Sequence, residues 1–356
     1  MSQTIVVTGG AGFVGSNLVN SLLMRGDHVI VFDSLARPGS ELNLAWLQMR
    51  HPGVEYVCGD VCDAEAVNRA VSRADIVYHL AGQVAVTTSV ENPRTDFNVN
   101  ALGTFNVLEA ARRNPRRPTL VFTSTNKVYG GIDDVAVAED PTRYAFERLK
   151  EGISEARPLD FHSPYGCSKG AADQYVRDYA RIYNLPTVVF RMSCIYGPRQ
   201  FGNEDQGWLA HFIIAAVMDR PITIYGDGKQ VRDVLFVDDL VRAFQLAANK
   251  IETTAGQVYN IGGGRENALA VWHDFAPILQ ELMGRTPLVA FGDWRPGDQR
   301  CYVSDIRKAS RDLDWRPQVD KRTGIQRLYE WVSVHRAMFE AIHEGGFSQA
   351  LRGAAL

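Results

Sequence analysis

Short apolar runs alternate with longer amphipathic stretches through the first half of the chain. Residues 4–8, 28–32, 54–58, 76–80 and 120–124 are rich in valine, isoleucine, leucine, tyrosine and phenylalanine. Each is about the length of a buried strand. Between them, residues 13–24, 64–71 and 101–113 carry helical patterns, and residues 187–191 form one more strand-like run. Near-continuous apolar strands separated by helices predict a parallel sheet covered on both faces.

After Arg191 the texture changes. Gly197, Pro198, Gly202, Gly207, Pro221, Gly226 and Gly228 break the chain more often and the alternation blurs. A helical pattern at 238–248 and a strand-like run at 258–261 return to the earlier style. The expected organisation is α/β. A larger doubly wound domain spans 1–191 and regains 234–262. A smaller mixed α/β domain is made of 192–233 and 263–332, and 333–356 forms a C-terminal helix and tail, loosely held after Glu344.

Composition narrows the classes. The chain has 356 residues, 46% hydrophobic and 22% charged, which is globular and long enough for roughly two domains. Its 38 basic and 41 acidic side chains leave a net charge of −3, without the basic face that tracks nucleic acid. The apolar stretch at 212–218 is far short of the about 20 residues that span a bilayer. The first basic residue is Arg25, so the charged start of a secretory signal is not expected. Five scattered cysteines, Cys58, Cys62, Cys167, Cys194 and Cys301, form no C-x-x-C pair. They point to a reducing cytoplasm and to no structural metal.

The first strand runs into Gly9-Gly10-Ala11-Gly12-Phe13-Val14-Gly15 and then a helix. Glycines there let the chain turn sharply and let a pyrophosphate approach the helix N-terminus. Asp33, followed by Ser34, ends the second strand. A carboxylate there accepts from a ribose 2′-hydroxyl and repels a 2′-phosphate, which favours NAD, with Arg37 keeping NADP as the alternative.

Tyr165 and Lys169 are four apart in a segment that reads as helical, so they share a face. A tyrosine acting as a base near neutrality needs its pKa lowered by about 3 from about 10, or about 4 kcal/mol. An adjacent ammonium and an oxidised nicotinamide ring can supply this. Thr125 ends the strand-like run upstream, at the sheet edge where a nucleotide lies.

These residues, with Asp60-Val61, Leu80-Ala81-Gly82, Asn98-Val99-Asn100 and Thr125…Tyr129-Gly130, resemble the extended short-chain dehydrogenase/reductase family. Its members are largely nucleotide-sugar epimerases, dehydratases and reductases. The resemblance implies a Rossmann-type fold and a catalytic triad of Thr125, Tyr165 and Lys169. It places Asp60 and Val61 near the adenine and Leu80, Ala81 and Gly82 along the cofactor, with Asn100 beside the tyrosine.

In the second half, Arg191…Tyr196-Gly197-Pro198-Arg199-Gln200, Tyr225-Gly226-Asp227-Gly228-Lys229-Gln230-Val231-Arg232-Asp233 and Arg295-Pro296-Gly297-Asp298 resemble the family's sugar-nucleotide motifs. They imply Ser193, Arg199, Gln200, Arg232 and Arg295 as substrate contacts. A guanidinium fork suits a diphosphate, although arginine is common in this chain. Asn126 and Lys127, also expected to meet substrate, stand where the family's dehydratases carry an acid pair, which disfavours dehydration. Cys194 replaces an asparagine common in 4-epimerases. The blocks at 124–130, 159–175 and 205–208, with a long insert at 131–162, resemble the family's CDP-tyvelose (CDP-paratose) 2-epimerase branch.

The expected activity is therefore NAD-dependent inversion of a nucleotide sugar, at carbon 2 of a CDP-sugar, in a homodimer or homotetramer. Inversion at carbon 4 with the same triad is the first alternative. A non-catalytic dinucleotide sensor is the second, disfavoured because both Tyr165 and Lys169 are present.

Overall fold

A computed structural model describes residues 3–295 and 298–343. Pro296, Gly297 and the tail from Glu344 onward lie outside the described residues. Seven parallel strands form the central sheet: β1 (Thr4–Thr8), β2 (His28–Asp33), β3 (Glu55–Cys58), β4 (Ile76–His79), β5 (Thr119–Thr125), β6 (Thr187–Met192) and β7 (Val258–Ile261). Their spatial order is β7-β6-β5-β4-β1-β2-β3. The order reverses at β1, so a crevice opens between the β1 and β4 ends, the usual place for a ligand in such a sheet.

The sheet is buried on both faces, which is why its strands read as unbroken apolar runs. On one face Val7, Val31 and Phe190 pack against Leu18 and Leu22 of the Phe13–Met24 helix and Leu240 and Phe244 of the Val237–Asn249 helix. On the other, Val6, Val77 and Phe122 meet Val67, Val107, Ala172 and Val176, from the helices Ala64–Val71, Gly103–Arg113 and Ser163–Tyr183. One buried ion pair pins the last of these helices to the sheet. Arg191 of β6 makes two hydrogen bonds of 2.9 Å to Asp173. Both side chains are almost fully buried, and Arg191 also donates to the Tyr129 hydroxyl.

The second core is separate. Leu209, Phe212 and Ile213 of the Trp208–Val217 helix pack with Phe275, Leu279, Ile325 and Leu328. Beside it, Val231–Phe236 pairs with Cys194–Tyr196, Ala268–Ala270 and Cys301–Tyr302. This small sheet continues directly from β6, so it faces the carboxyl edge of the large one. Among the described residues no helix is long and apolar enough to cross a membrane.

Candidate active site

The sequence motifs fall in one row. The Gly9 turn, Asp33, Asp60, the segment Leu80-Ala81-Gly82, Thr125 and Ser193 end or follow β1, β2, β3, β4, β5 and β6. Parallel pairing in this order brings six distant stretches to a single edge.

The glycine turn is dictated by space. Gly9 has φ +70°, and a Cβ there would meet the Ala81 backbone nitrogen at 2.7 Å. A Cβ on Gly15 would meet the Gly9 carbonyl oxygen at 2.1 Å. Gly12 directly precedes the helix, with Phe13 and Val14 in its first turn. The first amides of that helix lack carbonyl partners within it and face a backbone kept bare by glycine, which suits a pyrophosphate. Asp33 is anchored by backbone amides: Ala11 N donates to Oδ2 at 3.0 Å and Leu35 N to Oδ1 at 2.9 Å. Burial raises its pKa, while the Leu35, Ala11 and Gly12 amides oppose the rise. A fixed carboxylate beside the glycine turn fits a ribose diol. Ser34 next to it is exposed. Asp60 accepts from Cys62 N at 2.9 Å, and Val61 is buried against Gly103. These residues fit a dinucleotide.

Tyr165 and Lys169 lie on the Ser163–Tyr183 helix and are 8% and 4% exposed. The Thr125 side chain, 7% exposed, lies beside the Tyr165 phenol. Burial pushes that phenol up to about 12; the Thr125 hydroxyl and the Arg37 charge pull it down, and Asp96 pushes it up. Direct lowering by Lys169, expected from the sequence, is not among these causes. The ammonium instead donates to the Thr123 carbonyl at 2.6 Å and lies 4.4 Å from the Phe122 ring centroid. Burial pulls Lys169 down to about 8. A Cβ on Gly82 would sit 3.7 Å from its Nζ, so the ammonium reaches the β4 end of the crevice.

A buried network supports the helix. Asn100 sits in a widened π-helical turn, Asn98–Leu102. Its Nδ2 donates to Gln83 O, Asp96 Oδ1 and Ser168 Oγ, each at 3.1 Å, and its Oδ1 accepts from Gln83 N at 3.0 Å. Ser168 Oγ bonds Asp96 Oδ2 as well. Asn100 thus ties the Gly82 segment to the turn of helix between Tyr165 and Lys169.

The residues expected to meet substrate divide. Lys127 and Arg232 share a neighbourhood with Asp298 and Cys194. Arg232 is 8% exposed, with Nη2 2.6 Å from Asp298 Oδ1. Asn126 is buried beside Thr125, its Oδ1 3.4 Å from Thr125 Oγ1. Arg295 lies farther out, over the Tyr225 ring at 4.0 Å, and donates to the Glu204 carbonyl at 3.1 Å. Ser193 Oγ bonds Asp233, and Gln200 Nε2 donates to Ile195 O at 3.3 Å.

Arg199 is not brought to this group. Its guanidinium stacks 4.3 Å from the Trp46 ring centroid and 5.7 Å from that of Trp331, and burial pulls its pKa down to about 10. Its neighbours are aromatic rings and not the Tyr165 cluster. Arg37, read from sequence only as a discriminator of cofactor, bonds the Gln206 side chain and acts electrostatically on Tyr165. Nothing in the local sequence signals that reach.

Relatives share the fold. The chain is 43% identical over 336 residues to CDP-paratose 2-epimerase of Salmonella typhi, covering 92% of this chain and 99% of the relative. Among solved structures, UDP-glucose 4-epimerase from Thermotoga maritima with UDP-glucose has a TM-score of 0.79 at 32% identity, covering 92% of this chain and 98% of that one. A dTDP-glucose 4,6-dehydratase double mutant from Streptomyces venezuelae, with NAD bound, has a TM-score of 0.82 at 31% identity, covering 95% and 99%. Residues 5–262, which include the glycine turn, Asp33, the Thr125–Tyr165 pair and all seven strands but Thr4, match the model of one family. The chain is an enzyme of the NAD dependent epimerase/dehydratase family, and its cofactor is NAD.

Proposed function

We infer that the chain inverts carbon 2 of a CDP-sugar, in a reaction of the CDP-paratose to CDP-tyvelose kind. The observation that carries this reading is Thr125-Asn126-Lys127 beside a buried Tyr165. The oxidoreductive pair is complete, while an amide and an ammonium stand where elimination of water needs two carboxyl groups. The identity to a CDP-paratose 2-epimerase supports the choice of carbon and base.

The glycine turn holds the pyrophosphate of NAD, Asp33 the adenosine ribose, and Lys169 the ribose next to the nicotinamide. NAD bound there supplies an acceptor and donor of hydride. Tyr165 removes the proton of the sugar 2-hydroxyl and later returns it. Thr125 steadies that oxygen through both steps. Arg232 and Arg295 hold the diphosphate while the 2-keto sugar turns its other face to the cofactor.

The deciding experiment uses a CDP-sugar deuterated at carbon 2, in ordinary water. The label is retained while carbon 2 inverts. Release of deuterium to solvent would overturn the oxidoreductive mechanism. Retention with inversion at carbon 4 would instead assign a 4-epimerase.

Two wider parts of the reading follow. Phe97, Leu102, Phe105, Tyr175 and Ile182 are exposed on and beside the packed helices Gly103–Arg113 and Ser163–Tyr183. Such an apolar patch suits a second copy of the chain. The five cysteines are all free, in keeping with a reducing cytoplasm.

A further inference from the structure

The phosphate nearest the sugar needs its own cation, and the position of that cation constrains which carbon reaches Tyr165. Carbon 2 is bonded to the carbon that bears the diphosphate. Carbon 4 lies across the ring from it. An anchor close to the catalytic pair therefore suits reaction at carbon 2, and a distant one suits carbon 4.

Lys127 is the second residue past Thr125, on the short 3₁₀ turn Asn126–Tyr129. Its amide donates to Thr125 Oγ1 at 3.2 Å, so the turn is fixed to the catalytic hydroxyl. From across the crevice, Gln299 Nε2 donates to Gly130 O at 2.6 Å and draws the 298–299 segment onto the same turn. The partly buried Lys127 ammonium thus stands with Arg232, Asp298 and Cys194. Asp298 is already engaged by Arg232 at 2.6 Å. Cys194 is no counter-ion, because burial holds its thiol protonated. Among the described residues the ammonium has no hydrogen-bond or ion-pair partner. Two cations share one carboxylate, leaving an excess positive charge two residues from Thr125. Desolvation and Arg232 both disfavour the charged lysine, a cost that an anion between the two cations would remove.

We propose that Lys127 binds the sugar-side phosphate of the nucleotide diphosphate and so sets carbon 2, and not carbon 4, against Tyr165. Arg232, buried in the same group and paired with Asp298, takes the second phosphate together with Arg295. A lysine suits the inner place, being a compact point charge that leaves room for the sugar. This inference rests on the nucleotide-sugar reading above.

The test separates the two phosphates. Calorimetry on the NAD-loaded protein compares CDP, UDP, GDP and dTDP, and carries forward the tightest binder with its monophosphate. Lys127→Met keeps the stem and removes the charge. It should weaken the diphosphate by about tenfold or more and leave the monophosphate unchanged. Lys127→Arg, which retains charge, should recover part of the preference for diphosphate over monophosphate. Retained NAD and an unchanged circular dichroism spectrum report folding for both variants. Equal weakening of both nucleotides, or of neither, would overturn the assignment of Lys127 while leaving the enzyme class intact. Failure of the wild-type protein to bind any of the four diphosphates would remove the nucleotide-sugar reading and this inference with it.

Discussion

His79 makes stability depend on pH below about 6.5. It ends β4 with no exposed surface. Thr8 Oγ1 lies 2.7 Å from Nδ1 and Thr104 Oγ1 2.9 Å from Nε2. Thr104 gives its own proton to the Asn100 carbonyl at 2.6 Å, so it must accept from Nε2–H. Nδ1 then accepts from Thr8, and the ring is neutral with its proton on Nε2. Burial, then the charge of Lys169, pulls the ring down to about 3. In the unfolded chain it titrates at about 6.5. Between those values the unfolded state binds the proton and the folded state does not, so stability rises with pH across the window and falls as the solution is acidified. From pH 7 to pH 5 the loss from this one ring is about 2 kcal/mol. Urea unfolding of the wild type and of His79→Asn, at pH 7, 6 and 5, isolates the effect. The wild type should lose about 2 kcal/mol more than the variant between the extremes. A gap between the two proteins that stays constant with pH would refute the buried neutral histidine.

Two further substitutions divide chemistry from architecture. Tyr165→Phe should keep the fold and the bound NAD while turnover drops by about 10²–10⁴-fold, and a loss below about tenfold would remove Tyr165 from proton transfer. Arg199→Ala should cost about 2 kcal/mol of stability, read from urea unfolding, because the guanidinium fills the space between Trp46 and Trp331. A raised KM at unchanged stability would return Arg199 to the substrate site.

The large sheet was legible because its strands are buried on both faces. The runs at 4–8 and 258–261 coincide with β1 and β7, and the others differ only at their ends. The helix Ser40–Arg50 was not read. It mixes Leu42, Leu44 and Leu47 with polar residues that dilute its period, and its burial comes from packing on the Phe13–Met24 helix. The apolar stretch at 212–218 is the heart of the Trp208–Val217 helix, buried all round, where no amphipathic pattern can form. At the site, the glycine turn and the Tyr165–Lys169 spacing are local and visible in the string. Arg37 near Tyr165, and Arg199 between two tryptophans, depend on contacts between segments far apart in sequence. An arginine after a strand and an arginine after Gly-Pro look alike until the fold separates them.

The resting state of Tyr165 bears on how a single residue can act twice in the proposed cycle. Left to the protein, the phenol is pushed up to about 12, because burial outweighs the Thr125 hydroxyl and the Arg37 charge. It is a proton donor and a poor base. One positive charge about 4 Å away at an effective dielectric of about 20 is worth about 4 kcal/mol, or roughly a thousandfold in ionisation. That does not bring the phenol fully to neutrality. It does not need to, because the 2-hydroxyl becomes far more acidic as its carbon is oxidised, and Tyr165 then meets a proton already half released. Oxidised NAD held at the glycine turn would supply such a charge, and its reduced form would not. Tyr165 therefore accepts a proton when acceptance is required and reverts to a donor when the ketone must be reduced. On this argument the burial that raises its pKa is what makes the return step work, and a more exposed tyrosine would be the better base and the worse epimerase residue.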